Sequence, residues 1–279
     1  MPASGGYVTV FEDGLSHDPI FRSENKTMRR IAMTFVVASL ILAAARDASA
    51  QKPWEDRVYM NIGFGVESGD STLADTRPLT IYEETGSSST TSTFTSGSLF
   101  DVGIGFRLWK NLSVGTSYHQ EQNENDAAIS GSAPHPIFFN QPRSFTAKET
   151  ALQRKESAVH AQFGWMVPIG NRLDFLVFGG PSFFRLQQDV ISNVTVTEVG
   201  APYTSVAVTA PRATRKKSAT GYNVGVDMTY IAWQNDSVRL GGGLFVRYAT
   251  ADTTVLLLRT EQPTTVGGLQ FGFGGRIRF

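Results

Sequence analysis

Residues 100–119 read FDVGIGFRLWKNLSVGTSYH, and they show most clearly which class of fold the chain adopts. Before the turn at residues 109–111, every second position is apolar: Phe100, Val102, Ile104, Phe106 and Leu108. The alternation resumes after the turn at Leu112, Val114, Thr116 and Tyr118. A period of two is that of a β-strand, whose successive side chains point to opposite faces. The stretch therefore predicts a β-hairpin with one apolar face and one polar, glycine-rich face.

The same alternation recurs in six further segments, so the chain is expected to contain eight strands. The other six are residues 58–66, 156–167, 222–230, 238–248, 269–279 and a segment that begins at residue 173. The last of these is blurred, and its Gly179-Gly180-Pro181 run is compatible with a bulge. Soluble sandwiches alternate as well, so the period alone does not separate them from a barrel.

The connections between these segments separate the two architectures, because they alternate between short and long. The short ones are residues 109–111, 168–172 and 234–237, and the long ones are roughly 69–93, 121–155, 190–217 and 252–264. Short turns on one side and long polar loops on the other are typical of transmembrane barrels. A closed barrel pairs every backbone group inside a bilayer. We therefore predict an all-β, eight-stranded antiparallel up-and-down transmembrane β-barrel over residues 51–279.

Aromatic residues near the predicted strand ends support this interpretation. They are Tyr59, Trp109, Tyr118, Trp165, Tyr230, Trp233 and Tyr248. Such residues form girdles at the two membrane surfaces of outer-membrane barrels.

Residues 28–50 have the three parts of a cleavable signal peptide. Met28-Arg29-Arg30 is followed by fifteen uncharged residues and then by Ala48-Ser49-Ala50, a small-residue cleavage site. The apolar run is too short to span a bilayer, and a buried core helix is the alternative. We expect the mature chain to begin at Gln51, and residues 1–27 to be a gene-start error or disordered.

Composition narrows the classes of function. Charged residues make up 18% of the chain and the formal net charge is zero, which gives no indication of nucleic-acid binding. The absence of cysteine excludes disulfides, thiolate metal sites, cysteine nucleophiles and a lipidated cysteine anchor.

The last strand, GLQFGFGGRIRF at residues 268–279, completes a pattern that resembles a known family. With the signal at 28–50 and the eight segments, the chain resembles the small eight-stranded Gram-negative outer-membrane β-barrel proteins of the OmpA, OmpX and OmpW kind. The resemblance implies a location in the outer membrane, among its lipids and lipopolysaccharide. It also implies that the barrel assembly machinery recognises the C-terminal strand ending at Phe279. A monomer fits this interpretation, and the oligomeric state stays open.

Charged residues of both signs are predicted on the lumen face: Asp101, Arg107, His119, Glu156, His160, Asp174, Asp227, Arg239, Arg247, Arg276 and Arg278. A tight turn at 109–111 places Asp101 opposite His119, and His160 lies at a similar height on the next strand. These residues could form an Asp–His relay or a two-histidine metal site. Because buried charges must be paired, an ion network that fills the barrel is the interpretation the pattern favours. We therefore predict no catalytic, cofactor-binding or metal-binding residues.

The function favoured by this pattern is a non-enzymatic outer-membrane protein, with a structural or surface-interaction role through its long extracellular loops. A narrow channel for small or hydrophobic compounds is the alternative, and a lipid-modifying enzyme is a third. The deacylases on small barrels use a His-x-Ser pair, which the triplets at His119, His135 and His160 lack. The palmitoyltransferases carry an amphipathic helix before the barrel, for which residues 51–57 are too few. The Arg215-Lys216-Lys217 run, expected at a loop end, is either a contact for lipopolysaccharide phosphates or ordinary loop charge.

Overall fold

A computed structural model describes residues 54–69, 71–257 and 260–279. These residues form thirteen β-strands: β1 (Val58–Ser68), β2 (Ser71–Ile81), β3 (Glu84–Phe94), β4 (Gly97–Trp109), β5 (Leu112–Ala133), β6 (Arg143–Ile169), β7 (Leu173–Ile191), β8 (Thr195–Glu198), β9 (Val206–Thr209), β10 (Arg212–Gln234), β11 (Arg239–Leu257), β12 (Thr260–Val266) and β13 (Leu269–Arg278). Within the described ranges there is no helix of the length and hydropathy needed to cross a membrane. The expected signal peptide at 28–50, the segment 1–27 and the expected mature start at Gln51 lie outside the described residues.

Eight of these strands close into an antiparallel barrel. Their order around the wall is β1, β4, β5, β6, β7, β10, β11 and β13, and β13 pairs back onto β1. The ring closes at the chain end, where the backbone N–H of Phe279 donates to the carbonyl of Val58 at 2.9 Å. Each of the eight predicted segments falls in one of these strands to within a residue. The fold class predicted from the sequence is therefore confirmed.

The three short turns are confirmed, and with the chain end they mark what we call the proximal end of the barrel. They connect Trp109 to Leu112, Ile169 to Leu173 and Gln234 to Arg239. The opposite end is called the distal end.

The long connections are not loops, as the sequence predicted, but mostly β-structure. Residues 69–93 contain the β2–β3 hairpin, and 121–155 is mainly the continuation of β5 and β6. The range 190–217 holds the β8–β9 hairpin and the start of β10, and 252–264 holds the end of β11 and most of β12. The prediction failed because Ser and Thr occupy both faces of a strand such as β3, which hides the alternation of apolar and polar residues. Pairing with β2 and β5 still satisfies the backbone of β3.

The distal wall has a seam. Beyond the ends of β1 and β13, the wall continues with β2 and β3 on one side and with β12 on the other. Among the described residues, no backbone hydrogen bond joins β2 to β12. Each of these two edges carries a proline, Pro78 and Pro263. Proline on an edge strand discourages pairing with another chain, so the seam is protected against strand addition.

Polarity reverses along the strands, as β7 illustrates. In the proximal half, apolar side chains such as Phe183 face outward. In the distal half the outward positions are polar, for example Arg185 and Gln187, while Phe184 and Leu186 are buried inside. The proximal half thus has an apolar belt around a polar lumen. Its strand β1, with 11 residues, has the length that crosses a bilayer when tilted.

Exposed aromatic residues border the apolar belt. Trp109, Trp165 and Trp233 lie on its proximal side, and Tyr118 and Tyr222 lie on its distal side. The predicted girdles are therefore present. Tyr59 is an exception, because it points into the barrel and its ring lies 5.8 Å from that of Trp54.

Candidate functional site

The inward face of the proximal barrel carries buried charges around Arg247. This guanidinium donates to Asp101 Oδ2 at 2.7 Å, to Ser117 Oγ at 3.0 Å and to Gln270. The arginine and the aspartate are both about 2% exposed. Because each charge meets its counter-charge and further hydrogen-bonding groups, this pair is compensated in the absence of water.

Further buried ion pairs extend this network along the lumen: Arg276 with Asp227, Arg278 with Asp174, and Arg154 with Glu156. The predicted filling of the lumen by paired charges is therefore confirmed. Two residues of the predicted set lie at the proximal rim instead. Arg239 faces Asp56 at 3.3 Å, and Arg107 donates to the carbonyl of Trp54. Both are close to a strand end, where the lumen opens toward the short turns.

Four buried side chains form a row next to this network. Ser182 Oγ lies 2.7 Å from His160 Nδ1, and His160 Nε2 lies 2.6 Å from His119 Nδ1. His119 Nε2 is 3.7 Å from Glu67 Oε2. A hydroxyl, two imidazoles and a carboxylate are the groups of a nucleophilic relay.

The predicted Asp101–His119 pair is only partly correct. The two residues face each other in the register of β4 and β5, as expected. The Asp101 carboxylate accepts from Arg247 and Asn61, however, and Glu67 takes its place beside the histidine. No pattern in the sequence pointed to Glu67, because it lies one residue past the segment whose alternation predicted β1.

The two histidines do not have the geometry of a shared metal site. Zinc–nitrogen bonds of 2.0–2.1 Å at a tetrahedral angle require about 3.3 Å between the two nitrogens. The observed 2.6 Å is a hydrogen bond. No cluster of three or more potential ligands is found in the described part of the chain.

The burial of this row also limits the reactions that it can catalyse, because a substrate must reach the serine hydroxyl. Ser182, His160 and His119 are all 0% exposed. The serine hydroxyl additionally accepts from Asn223 Nδ2 at 2.9 Å, and the Phe184 ring lies against both imidazoles. A substrate has no path to Ser182 Oγ in this arrangement. The row is therefore packed within the lumen.

Two apolar layers lie beside the Arg247–Asp101 pair, one toward each end of the barrel, and the Arg278–Asp174 and Arg154–Glu156 pairs lie at or beyond them. The proximal layer consists of Trp54, Tyr59, Met166, Leu176 and Phe178. The distal layer includes Phe94, Phe184, Leu186, Val255 and Val266. A cavity of about 30 Å³ remains beside Arg247 and Asp227. Its volume is sufficient for one or two water molecules.

Three turns meet at the distal end around Arg143, in a region we call the tip: residues 82–84, 134–142 and 198–205. Arg143 donates to both carboxylate oxygens of Glu198, at 2.6 and 2.7 Å, and to the carbonyls of Pro134 and Tyr203. These hydrogen bonds from Arg143 hold the pKa of the Glu198 carboxyl below its usual value. One guanidinium thus fixes the 134–142 and 198–205 turns to each other.

The 134–142 turn presents three consecutive apolar side chains to solvent. Ile137, Phe138 and Phe139 are 64%, 53% and 73% exposed. His135 Nδ1 accepts from the backbone N–H groups of Ile137 and Phe138, and Glu84 accepts from that of Asn140. The backbone is therefore held in place while the apolar side chains remain uncovered. Sequence reasoning missed this group because it lies inside a range classified as a polar loop.

The basic run at 215–217 is divided between the two faces of β10. Lys216 is exposed on the outer face, whereas Arg215 and Lys217 alternate with it on the inner face. The prediction that this run lies at the end of a loop was wrong, because residues 215–217 lie within strand β10. Lys155 on β6 and Lys216 pair in register with the same residue of β7, Gln187, and Arg185 lies two residues nearer the belt. Lys155, Arg185 and Lys216 thus form an outer basic patch just beyond the belt.

Comparison with known proteins gives matches to solved structures only. No protein-family model and no curated protein matches the chain. Neisserial surface protein A is 11% identical with a TM-score of 0.38, covering 80% of this chain and 96% of its own. The outer membrane protein OprG from Pseudomonas aeruginosa is 8% identical with a TM-score of 0.38, covering 80% and 96%. Ail, the attachment invasion locus protein of Yersinia pestis, is 10% identical with a TM-score of 0.32, covering 79% and 99%.

These proteins are what the chain is similar to in fold. The classification itself rests on the closed strand order of the chain and on its outward apolar belt. On that basis the chain is an eight-stranded antiparallel β-barrel of the outer-membrane type.

Proposed function

We propose that the chain is a non-enzymatic outer-membrane protein, whose closed barrel anchors a rigid tip that binds apolar surfaces outside the cell. The observation that carries this proposal is the exposed Ile137-Phe138-Phe139 group at the end of the distal wall. Strand β5 runs from Tyr118 at the belt to Ala133 below the tip, a path of about 50 Å at about 3.3 Å per residue. The tip therefore cannot reach the bilayer that holds the barrel.

The rigidity of the tip supports a binding role. A flexible loop loses conformational entropy when it is ordered by a partner, whereas a preformed one does not. The two hydrogen bonds from Arg143 to Glu198 and the two backbone bonds to His135 hold the turn in one conformation before any partner binds. Three large apolar side chains left uncovered on an ordered surface are typical of an interaction site.

The filled lumen supports a non-conducting barrel over the channel alternative. The ion pairs around Arg247 occupy the polar section, and apolar layers lie on both sides of it. Refolded protein in a planar bilayer is therefore expected to show no steady conductance. A stable open current would favour the channel. The burial of Ser182 and its two histidines likewise supports a protein without hydrolytic activity.

Capture of intact cells on phenyl-derivatised beads tests the tip. Cells that display the wild-type chain should be retained, and the Phe138→Ser/Phe139→Ser variant should lose most of this retention. The matched control is Thr204→Ala/Ser205→Ala, two exposed polar positions on the neighbouring turn. Equal retention of all three, at equal surface levels, would refute a binding role for the apolar group.

The outer basic patch supports lipopolysaccharide as a lipid partner. Lys155, Arg185 and Lys216 are exposed just beyond the belt, and no ion-pair partner for them is found among the described residues. Cations at this height can contact the phosphates of lipid headgroups.

Lipopolysaccharide that copurifies with the protein measures this contact. The Arg185→Gln/Lys216→Gln variant should copurify with less lipopolysaccharide than the wild type, and this difference should shrink as salt is raised. The control Lys110→Gln/Arg172→Gln makes the same change in charge at two proximal turns. Equal lipid content in both variants would argue against the patch.

A further inference from the structure

The distal half of the barrel contains a second, larger cavity, which the proposed function does not use. Its volume is about 170 Å³, and it lies behind the seam between β2 and β12. An apolar cavity of about 150 Å³ accommodates benzene, so this one has room for a six-membered ring with small substituents. It lies beyond the apolar belt, in the part of the barrel that faces water.

One wall of this cavity is a row of hydroxyl groups. Ser88, Thr90 and Ser92 occupy successive inward positions of β3 and line the cavity. Ser88 is 3% exposed, and its Oγ has no hydrogen-bond partner within the described structure. A buried hydroxyl without a partner is unfavourable unless a bound molecule or water satisfies it. The Ser88 hydroxyl is therefore free to bond a polar group of a ligand.

The opposite wall is aliphatic. Val190 and Ile191 at the end of β7, Val194 after it, and Leu257 at the end of β11 line this side. A ligand that fits must therefore present an apolar face on one side and hydrogen-bonding groups on the other.

An ion pair at the seam forms the third wall. Arg77 Nε donates to Asp75 Oδ2 at 2.6 Å, and Arg77 Nη2 donates across the seam to the carbonyl of Leu257 at 3.2 Å. The lining also includes Asp189, whose carboxylate accepts from Thr214 and from the backbone of Gln153. No positive charge is left uncompensated, so the lining does not suit an anion. A donor beside an acceptor does suit adjacent hydroxyl groups.

We propose that this cavity binds a single neutral sugar ring of hexose size. The apolar face of the ring lies against Val190 and Val194, and its hydroxyls meet Ser88 and the Asp75–Arg77 pair. The ring enters through the seam, where, among the described residues, a side-chain bond from Arg77 to the Leu257 carbonyl joins the edges in place of a strand ladder. This site is independent of the tip and can be tested separately from it.

Saturation-transfer NMR on the refolded full chain tests the site. The detergent must lack a sugar headgroup, since such a headgroup would compete. Methyl β-D-glucoside and methyl β-D-galactoside should receive saturation from the protein. Cyclohexanemethanol, which has the ring but one hydroxyl, and the anion glucuronate should bind at least tenfold more weakly. Equal or tighter binding of either comparison ligand would overturn the proposal, as would no transfer to either glycoside.

Two consecutive serines on opposite faces of β3 provide matched variants. Ser88→Leu places a larger apolar side chain in the cavity and should weaken glycoside binding at least tenfold. Ser89→Leu makes the same change on the outer face and should leave binding unchanged. A difference in detergent-gel mobility between unheated and boiled samples shows that each variant has folded into a closed barrel. If Ser88→Leu does not fold, Thr90→Val removes an inward hydroxyl at nearly constant volume and should weaken binding severalfold. Unchanged binding in the folded inward variant would show that the sugar binds elsewhere.

Discussion

Replacing Asp101 with alanine tests whether the lumen is held by paired charges. The substitution leaves the Arg247 guanidinium without its counter-charge at a site about 2% exposed. Among the described residues, the hydrogen bonds that Arg247 keeps are those to Ser117 and Gln270. Removing one partner of a buried ion pair costs about 3–5 kcal/mol, because the other charge stays buried. The Arg247→Met variant should lose a similar amount, since Asp101 then keeps only the bond from Asn61.

The double variant Asp101→Ala/Arg247→Met should be more stable than either single variant. It removes both charges, and apolar replacement of a whole buried pair is often nearly neutral. A double-mutant cycle therefore isolates the coupling between the two side chains.

Urea titration of the barrel in phospholipid vesicles, followed by tryptophan fluorescence and gel mobility, measures these differences. With a urea dependence of about 2 kcal/mol per molar, a loss of about 4 kcal/mol moves the midpoint down by about 2 M. The control Arg185→Met removes an exposed arginine and should leave the midpoint unchanged. If the losses of the two single variants simply add in the double variant, the side chains act independently and the ion-pair network is not what holds the lumen.

Three further predictions concern the ends of the barrel. Phe279→Ala keeps the backbone bonds to Val58 and should refold normally in vitro, yet it should reach the outer membrane less efficiently in cells; normal surface levels would show that the side chain is no assembly signal. Glu198 has a lowered pKa, so its bond to Arg143 is complete above the ordinary carboxyl value of 4.5 and is lost as pH falls through the lowered pKa. The amide protection factors of β8 and β9, which correct for the intrinsic pH dependence of exchange, should fall in that range, and unchanged protection factors down to pH 2 would contradict this role of Arg143. An epitope inserted after Gly200 should be readable on intact cells, whereas insertion at Ser89 should disrupt β3; a folded barrel with the insertion at Ser89 would contradict the hairpin.

The eight barrel strands could be predicted because the bilayer imposes a local rule. Each residue such as Phe106 or Val246 must be apolar if it faces lipid, and its neighbours face the lumen. Because this rule concerns a few consecutive residues, it can be applied without knowing which strands pair. The same reasoning correctly placed Asp101 opposite His119, because a short turn fixes the register between neighbouring strands.

Outside the belt the rule no longer applies, and the sequence was misleading there. Strand β3, with Ser and Thr on both faces, forms because it pairs with β2 in a hairpin and with β5, which contributes hydrogen-bonding groups from a distant part of the chain. The seam and the cavity behind it likewise depend on the positions that β2 and β12 take in the closed barrel.

The fold class, the eight strands, the apolar belt and the charged character of the lumen could all be predicted from the sequence, since each of these follows from side chains a few positions apart. Which charges meet depends on the tertiary structure, which brings Arg247 and Asp101 together across 146 positions of sequence. It also decided that the distal connections form a wall and that Ile137-Phe138-Phe139 stands uncovered at its end. These features depend on strand tilt and register around a closed ring, which set contacts between residues that share no local pattern.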